Sequence, residues 1–454
     1  MLPAIGFALL CVFLGYWQVV QAPNLRADQY NRWAQERLRM TQPGEVFDAR
    51  GHTVLGVERG AEGWDRAYPA GRNAAHITGY NARSGLQHSL RNALLATGRY
   101  ESPWAEFIDG PRQGNDVQLS IDLESQRLAT RLLRRQRGAV VALDARTGAV
   151  LTLVSAPAYD PEEVLASTYA FEIFRNDPDK PEYNRSVQGL YPPGSIMKIF
   201  TAAAGLDLDR IKRDTTFECS REYSIGGTKI TCPLAHGRVT VERALAVSCN
   251  TTFAQMGRYF SAGEYVDYAG RFRLFEPASV SLHASRGSIA EFTGDNRDIL
   301  LAQTAMGQGE TLVTPFAVAR LTLAIASGGM VREPYLISGI EAPSGRKIAT
   351  GRAREMGQAV KHETAQVVGG MMARVVEDGT GAVVAMRGVK VAGKTGSAEN
   401  PHGRAHSWFT AFAPVDDPRI VVTVVVENAG AGSEVAGPIA RDIIAHLLEH
   451  ADPI

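Results

Sequence analysis

A serine and a lysine three positions apart give the clearest chemical signal in this sequence. Ser195 follows Pro193 and Gly194, which end any preceding element, and it opens an apolar stretch that predicts a helix over residues 196–208. Side chains three positions apart lie on one face of a helix, so Lys198 would face the Ser195 hydroxyl. A neutral lysine can take the hydroxyl proton, and backbone N–H groups at a helix start can stabilise oxyanion charge. The pair therefore predicts a serine nucleophile with a lysine base.

Two further polar motifs follow this pair along the chain. Ser248-Cys249-Asn250 offers a hydroxyl and an amide, and Lys394-Thr395-Gly396-Ser397 offers a cation and two hydroxyls. A Ser-x-x-Lys pair alone often means a capping serine and a solvated lysine. Its occurrence before both later motifs, in this order, is rarely accidental. We therefore expect the three motifs to meet in one crevice.

The three motifs together resemble the active site of penicillin-binding proteins and class A β-lactamases. Residues from about 117 to 450 look like the transpeptidase domain of class B, monofunctional penicillin-binding proteins, and further matching segments lie at 138–142, 155–161, 184–185, 307–309 and 378–381. The accessory region matches less well, because Pro43 stands where the family carries arginine. The resemblance covers about three quarters of the chain.

The resemblance implies an α+β fold of the penicillin-binding protein and serine β-lactamase type, with helices on both faces of an antiparallel sheet and a further all-helical part. The sequence itself predicts hairpins at 138–155 and 407–427, a terminal helix at 435–450 and a mainly helical middle from 195 to about 385. One sheet would thus take strands from both ends of its domain. We divide the chain into an anchor at 1–25, an accessory domain at 26–116 and a transpeptidase domain at 117–454.

The resemblance also assigns the reacting residues. Ser195 would attack the penultimate D-Ala carbonyl of a stem peptide, expel the terminal D-Ala and form an ester, with Lys198 as general base. Ser248 would relay a proton toward the leaving amine. Asn250 would hold both Lys198 and the substrate amide.

The last motif would bind the substrate. Lys394 would add positive field, while Thr395 and Ser397 would bind the D-Ala carboxylate. Gly396 would let the substrate run beside an exposed strand without a side-chain clash. The N–H groups of Ser195 and of the residue after Gly396 would form the oxyanion hole. No metal and no cofactor is assigned to this reaction.

Enzyme classes that share these motifs differ in how the acyl-enzyme is resolved. A class A β-lactamase uses a glutamate in a Glu-x-x-Leu-Asn segment to activate water, and no such segment occurs between Asn250 and Lys394. The resemblance therefore implies a peptidoglycan cross-linking D,D-transpeptidase that transfers the acyl group to an amine and is covalently inhibited by β-lactams. The alternatives are a D-alanyl-D-alanine carboxypeptidase and a β-lactam-binding sensor or scaffold.

Composition and family together indicate the partners. Lys plus Arg total 48 and Asp plus Glu total 48, and this zero net charge argues against nucleic-acid binding. By resemblance, the partners are peptidoglycan stem peptides, β-lactam antibiotics and a membrane glycosyltransferase of the SEDS group. The region before residue 117 is too short to hold a glycosyltransferase domain as well as the anchor.

The amino terminus predicts a membrane anchor. Residues 1–25 carry no charged side chain, and the apolar stretch approaches the roughly 20 residues of a transmembrane helix. We expect a single-pass protein of the bacterial cytoplasmic membrane with its catalytic domain outside the cytoplasm; the alternative is a secretory signal cleaved near Ala22. By the positive-inside rule, the opposite orientation is favoured by Arg26, Arg32, Arg37 and Arg39. Basic residues upstream of Met1 would reconcile the two.

Three of the four cysteines cluster in sequence. Cys219, Cys232 and Cys249 have His236 among them, whereas Cys11 lies in the apolar segment. The cluster lacks the CxxC pair common in zinc sites. Sequence alone leaves open a disulfide with one free thiol, a Cys3His zinc site, or unlinked thiols.

Overall fold

The structure, a computed structural model, describes residues 2–21, 40–61, 63–96, 113–134, 136–400 and 403–450. The arginines that follow the apolar segment, Arg26, Arg32, Arg37 and Arg39, lie outside these residues. The described helices are α1 Leu2–Gly15, α2 Ala75–Thr78, α3 Gly85–Ser89, α4 Arg91–Leu94, α5 Leu123–Leu133, α6 Pro161–Leu165, α7 Thr168–Asn176, α8 Met197–Asp207, α9 Val241–Ala246, α10 Asn250–Gly257, α11 Ala262–Arg271, α12 Arg297–Met306, α13 Pro315–Ala326, α14 His362–Asp378 and α15 Ala436–Glu449.

The strands are β1 Val46–Phe47, β2 Thr53–Gly60, β3 Gly63–Ala67, β4 Asp116–Leu119, β5 Gly138–Asp144, β6 Val150–Ala156, β7 Thr216–Cys219, β8 Glu222–Ile225, β9 Thr228–Thr231, β10 Gly237–Thr240, β11 Met330–Glu333, β12 Ile337–Glu341, β13 Lys347–Thr350, β14 Arg354–Gln358, β15 Ala392–Ala398, β16 His406–Ala413 and β17 Ile420–Val426. Within the described residues they form a five-stranded sheet, a six-stranded sheet and three two-stranded ribbons.

The five-stranded sheet has the order β15-β16-β17-β5-β6 and is antiparallel throughout. Both predicted hairpins are present, and β5 pairs with β17, so the two ends of the domain meet in one sheet as expected. Every residue of β17 is buried, because helices cover both faces of the sheet. This explains why its sequence is a continuous apolar run rather than an alternating one.

Each face of this sheet packs on its own helices. Val140 and Val424 point toward α5 and α15, whereas Val141 and Val425 point toward the core that includes α13 and α14. Residues adjacent along a strand thus enter different cores, as the two-residue period of a strand requires. The predicted fold class, with helices on both faces of an antiparallel sheet and a further helical part, is confirmed.

The segment between residues 195 and 385 contains α8 to α14, as predicted, but the short strands β7 to β14 interrupt it. The prediction of a mainly helical middle overlooked these ribbons. One of them, β8–β9, turns at Gly226 and Gly227, whose φ angles are +53° and +82°. Two consecutive residues at positive φ are typical of a tight hairpin turn, so the Gly-Gly pair was the signal for this ribbon.

The six-stranded sheet has the order β13-β12-β4-β1-β2-β3. Here β4 runs parallel to β1 and antiparallel to β12. Strands β12 and β13 come from the middle of the predicted transpeptidase domain. This sheet therefore takes strands from both sides of residue 117, the predicted boundary between the accessory and transpeptidase domains.

The amino-terminal α1 continues into a π-helical turn at Tyr16–Val20. Residues Pro3–Val20 have a mean hydropathy of 1.8, and none of this segment is buried against the rest of the molecule. An exposed apolar helix of this length is suited to a membrane rather than to water.

Candidate active site

Ser195 lies in a 3₁₀ turn, Gly194–Ile196, that leads directly into α8. Gly194 has a φ of +53°, and its N–H donates to the carbonyl oxygen of Gly307 at 2.9 Å. A Cβ at Gly307 would lie 1.7 Å from the Gly194 carbonyl oxygen. Both glycines are therefore required where the nucleophile's turn contacts the loop after α12.

Lys198 is completely buried beneath Ser195. Its Nζ lies 3.0 Å from Ser195 Oγ, 2.7 Å from Asn250 Oδ1, 2.8 Å from the Ser248 carbonyl oxygen and 3.2 Å from Ser248 Oγ. The first two predicted motifs thus meet around one nitrogen.

Burial determines the protonation of this lysine. Desolvation lowers the pKa of Lys198 from 10.5 to about 7, although the cysteines Cys249 and Cys232 oppose the shift. A neutral amine has two N–H groups and one lone pair. It can donate to the Ser248 carbonyl and Asn250 Oδ1, its shortest contacts, and accept the Ser195 O–H proton. The geometry suits proton transfer from serine to lysine.

Ser248 lies between the two buried lysines. Its Oγ accepts a hydrogen bond from Lys394 Nζ at 2.9 Å, and it is also within 3.2 Å of Lys198 Nζ. Burial and the neighbouring Lys198 together hold the pKa of Lys394 well below its ordinary value. The backbone at Ser248 has a φ of +57°, which is unusual for a residue other than glycine. Such strain is common at functional sites.

The third motif lies on β15, the edge strand of the five-stranded sheet. Lys394 also donates to the Thr395 carbonyl at 3.0 Å, and Thr395 Oγ1 is 2.7 Å from Thr380 Oγ1. Ser397 is exposed. The structure therefore brings Lys394 into the cluster around Ser248 and leaves Ser397 open to solvent on the same strand.

The packing around Gly396 explains why a glycine occupies this position, and the explanation differs from the one expected from the sequence. A Cβ at this position would lie 2.9 Å from Trp408 Cβ, 3.0 Å from Ile196 Cγ1 and 3.3 Å from the Pro193 carbonyl oxygen. The absent side chain thus makes room for the nucleophile's turn against β15. The sequence-based reason, clearance for a substrate, does not account for these contacts.

Residues outside the motifs position the site as well. Trp408 is fully buried and its Nε1 donates to the Pro192 carbonyl oxygen at 3.1 Å, just before the nucleophile's turn. Glu427 Oε1 accepts from Tyr191 Oη at 2.9 Å and from Arg185 Nε at 2.8 Å. We call Glu427, Tyr191 and Arg185 the Glu427 cluster. Sequence analysis missed it, because its members are far apart along the chain and share no motif.

The three clustered cysteines are free in the structure. The Sγ atoms of Cys232 and Cys249 are 3.7 Å apart, and Cys219 Sγ is 3.3 Å from His236 Nδ1. Cys249 lies between Ser248 and Asn250, so this cluster borders the active site directly.

Comparison with known proteins agrees with the fold. Residues 138–445 match the penicillin-binding protein transpeptidase domain. This chain belongs to the penicillin-binding protein transpeptidase family, and more narrowly to its class B, monofunctional members.

Among its relatives is the peptidoglycan D,D-transpeptidase PbpA of Mycolicibacterium smegmatis, which is 30% identical over 95% of this chain and 94% of the relative. Another is the peptidoglycan D,D-transpeptidase MrdA of Escherichia coli K12, which is 28% identical over 74% of this chain and 58% of the relative.

Solved structures give the same result. Penicillin-binding protein A from M. tuberculosis, as an imipenem acyl-enzyme complex, superposes with a TM-score of 0.84 at 27% identity, covering 91% of this chain and 99% of that one. The D,D-transpeptidase domain of a peptidoglycan glycosyltransferase from Eggerthella lenta gives a TM-score of 0.81 at 29% identity, covering 90% of this chain and 99% of that one.

Proposed function

We propose that this protein is a class B penicillin-binding protein that cross-links peptidoglycan as a serine D,D-transpeptidase and is covalently inhibited by β-lactams. The observation that carries the proposal is the contact of 3.0 Å between Ser195 Oγ and Lys198 Nζ, together with the complete burial of that lysine. A hydroxyl beside a buried, neutral amine is an activated nucleophile.

Acylation begins with transfer of the Ser195 hydroxyl proton to the lone pair of Lys198. Ser195 Oγ then attacks the penultimate D-Ala carbonyl of a stem peptide, and the peptide C–N bond breaks. The leaving D-Ala amine takes a proton through Ser248, whose hydroxyl contacts both lysines. The product is a Ser195 ester. In a β-lactam the same attack opens the ring, and the leaving amine stays attached.

The exposed side of the site binds the stem peptide. Thr395 and Ser397 lie on the edge strand and offer hydroxyls to the D-Ala carboxylate, while Lys394 supplies positive field from behind. Asn250 Oδ1 accepts from Lys198, and its Nδ2 donates to the Thr231 carbonyl at 2.9 Å. The N–H groups of Ser195 and Ser397 form the oxyanion hole.

An amine, rather than water, resolves the ester. Among the described residues, no aspartate or glutamate hydrogen-bonds to Ser195, Lys198 or Ser248, and the sequence has no Glu-x-x-Leu-Asn segment. Water activation of the kind used by class A β-lactamases thus finds no base in the part of the chain that the structure describes. Transfer to the amine of a second stem peptide is the outcome we propose.

The membrane context is also part of the proposal. The apolar helix Pro3–Val20 anchors the chain as a single span, and the catalytic domain lies outside the cytoplasm, where the polymer is. A SEDS-group glycosyltransferase, the partner that the family resemblance implies, makes the glycan strands that this enzyme cross-links. Co-purification of that glycosyltransferase with the full chain, and its loss when Pro3–Val20 is replaced by an unrelated span, is the expected result.

A two-substrate assay tests the reaction. The purified protein is given a D-Ala-D-Ala peptide, or a thioester analogue of it, with and without a D-amino acid. Transfer to the D-amino acid is the expected result. Release of D-Ala with water alone would instead identify a carboxypeptidase, and covalent labelling by penicillin without turnover of either substrate would identify a sensor.

A further inference from the structure

Three thiols and an imidazole converge beside the active site without any role in the proposed reaction. The ligand atoms of Cys219, Cys232, His236 and Cys249 all lie within 4.8 Å of one another. The three cysteines are buried and the histidine is half-buried. They come from the end of β7, the residue after β9, the residue before β10 and the residue before α10.

The spacing of these atoms suits a tetrahedral metal ion. With Zn–S bonds of about 2.3 Å and Zn–N bonds of about 2.0 Å, two sulfurs lie about 3.8 Å apart and a sulfur and a nitrogen about 3.5 Å apart. The structure has 3.7 Å between the sulfurs of Cys232 and Cys249, and 3.3 Å between Cys219 Sγ and His236 Nδ1. A disulfide bond would need about 2.05 Å, so the structure holds the sulfurs at metal-binding separation.

The surrounding donors favour thiolates. The backbone N–H groups of Asn250 and Thr251 point at Cys232 Sγ, with N···S distances of 3.2 and 3.4 Å. The Thr252 hydroxyl donates to Cys249 Sγ at 3.1 Å. Outer hydrogen bonds of this kind orient metal ligands and stabilise their charged form. A neutral thiol is only a weak acceptor for these N–H and O–H donors, whereas a thiolate accepts their hydrogen bonds more strongly.

We propose that Cys219, Cys232, His236 and Cys249 form a structural Zn²⁺ site that fixes the Ser248-Cys249-Asn250 turn. A closed Cys3His set without a carboxylate or an open position is typical of structural zinc, and soft thiolates exclude Mg²⁺ and Ca²⁺. The site ties the β7–β10 ribbons to the start of α10.

The consequence for the active site follows from two contacts. Asn250 Nδ2 donates to the carbonyl of Thr231, the residue before Cys232, so a metal that holds Cys232 also holds the partner of this amide. Ser248 has a strained backbone, with a φ of +57°, and the next residue is the ligand Cys249. The metal thus positions Ser248 and Asn250 and takes no part in the chemistry.

Metal content tests the site directly. Wild-type protein purified under reducing conditions should contain about one zinc per chain by elemental analysis, as expected for a closed four-ligand site. Replacement of the zinc by Co²⁺ should give the visible absorption bands of tetrahedral cobalt with thiolate ligands. Both readouts are independent of penicillin binding, and Ser195→Ala should leave them unchanged, so a failure of the metal site and a failure of the proposed function are distinguishable.

Matched variants locate the ligands. Cys219→Ser and His236→Ala should weaken Zn²⁺ binding by more than the ~10–100-fold that loss of an outer hydrogen bond costs. Cys11→Ser and His283→Ala, a thiol and an imidazole outside the cluster, should bind zinc as the wild type does. If Cys219→Ser does not fold, wild-type protein stripped by a chelator and reloaded with Co²⁺ gives the same test.

The link to the active site has its own readout. Stripped protein should label with fluorescent penicillin at least about tenfold more slowly at a temperature where it remains folded, and Zn²⁺ should restore the rate. Wild-type protein that contains no zinc and gives no cobalt bands would overturn the proposal. So would a Cys232–Cys249 disulfide found by peptide mapping, or equal zinc binding by Cys219→Ser and the wild type.

Discussion

Ser248 is held between two buried lysines whose pKa values are lowered by desolvation. One hydroxyl oxygen within 3.2 Å of Lys198 Nζ and 2.9 Å of Lys394 Nζ would face two positive charges if both were protonated. Desolvation lowers the pKa of both lysines, and repulsion by Lys198 lowers that of Lys394 further. The neutral form of Lys198 that this shift makes available near pH 7 distinguishes the site from an ordinary capped helix start.

Replacement of the nucleophile gives the first prediction. Ser195→Ala should reduce covalent labelling by fluorescent penicillin by more than about 10³-fold, because the hydroxyl that forms the ester is removed. The thermal midpoint should remain close to that of the wild type, since Ser195 is only partly buried. Ser224→Ala, an exposed serine on β8, is the matched control. Retained labelling of Ser195→Ala would refute the nucleophile assignment.

The second prediction concerns pH. Burial lowers the pKa of Lys198 to about 7, so the neutral form increases as pH rises through that value. The acylation rate with penicillin should therefore rise between about pH 6 and pH 8. Stability should rise as well, because the folded protein binds fewer protons than the unfolded chain between this pKa and the ordinary value.

The control for this pH dependence is Lys198→Arg. A guanidinium stays charged throughout the range, so this variant should acylate poorly at every pH. A wild-type acylation rate that does not change across the range would contradict the role of Lys198 as base.

The third prediction separates Lys394 from Lys198. Lys394→Ala should lower the second-order acylation rate by about 10²-fold, because positive field near the substrate carboxylate is lost. Folding should change less, since desolvation of a buried amine already opposes stability. The control is Lys390→Ala, because Lys390 is exposed and lies just before β15. This variant should acylate at the wild-type rate in the same measurement. An unchanged rate in Lys394→Ala would exclude it from the site.

At the scale of elements, β17 reaches the site through the Glu427 cluster at its end. Arg185 has only 5% of its side chain exposed and Glu427 has 15%, and Arg137 Nε lies 3.0 Å from the other carboxylate oxygen. Burial would raise the pKa of Glu427, but hydrogen bonds from Arg185 and Tyr191 outweigh it and lower that pKa. The carboxylate therefore ties Tyr191, four residues before the nucleophile, to the sheet.

The fourth prediction follows from this tie. Glu427→Ala should cost about 3–5 kcal/mol of unfolding free energy, because Arg185 is left buried without a counter-charge. Glu434→Ala removes an exposed partner of Arg404 and should cost only about 0–1 kcal/mol. Urea denaturation measures both. A small effect in Glu427→Ala would show that water or another group replaces the carboxylate.

Local sequence patterns predicted the turns and hairpins, because these elements depend on residues that are neighbours along the chain. The turn before Ser195 and the β5–β6 and β16–β17 hairpins were readable, because their signals are glycines, prolines and apolar runs. The role of Gly396 in packing was not, since Trp408 and Ile196 approach it from other elements. The β12–β4 pairing could not be predicted either, because the residues of these two short strands do not specify which distant strand they pair with.

At the scale of the whole molecule, the apolar helix and the catalytic domain are separable features. Every described residue of Pro3–Val20 is exposed, so this helix contributes no packing to the described core. The contacts that join Ser195, Lys198, Ser248, Asn250 and Lys394 involve no residue of this helix.

The fifth prediction tests this separation. Deletion of residues 1–21 should move the protein from the membrane fraction to the soluble fraction, because the apolar span is gone. Its second-order acylation rate should stay within about twofold of the full chain's, as expected for a distant change. Fractionation followed by fluorescent-penicillin labelling measures both. A large loss of acylation in folded protein would mean that the helix supports the site.

The six-stranded sheet imposes an order on folding. Strand β4 lies between β1 and β12, so one edge of β4 stays unpaired until the chain up to residue 341 has been made. Until then β4 has an unpaired edge, which is prone to pair with other chains. Contacts between such distant segments form slowly. The amino-terminal strands thus complete their sheet only with β12 and β13, and the nascent chain depends on whatever shields the open edge of β4 until then.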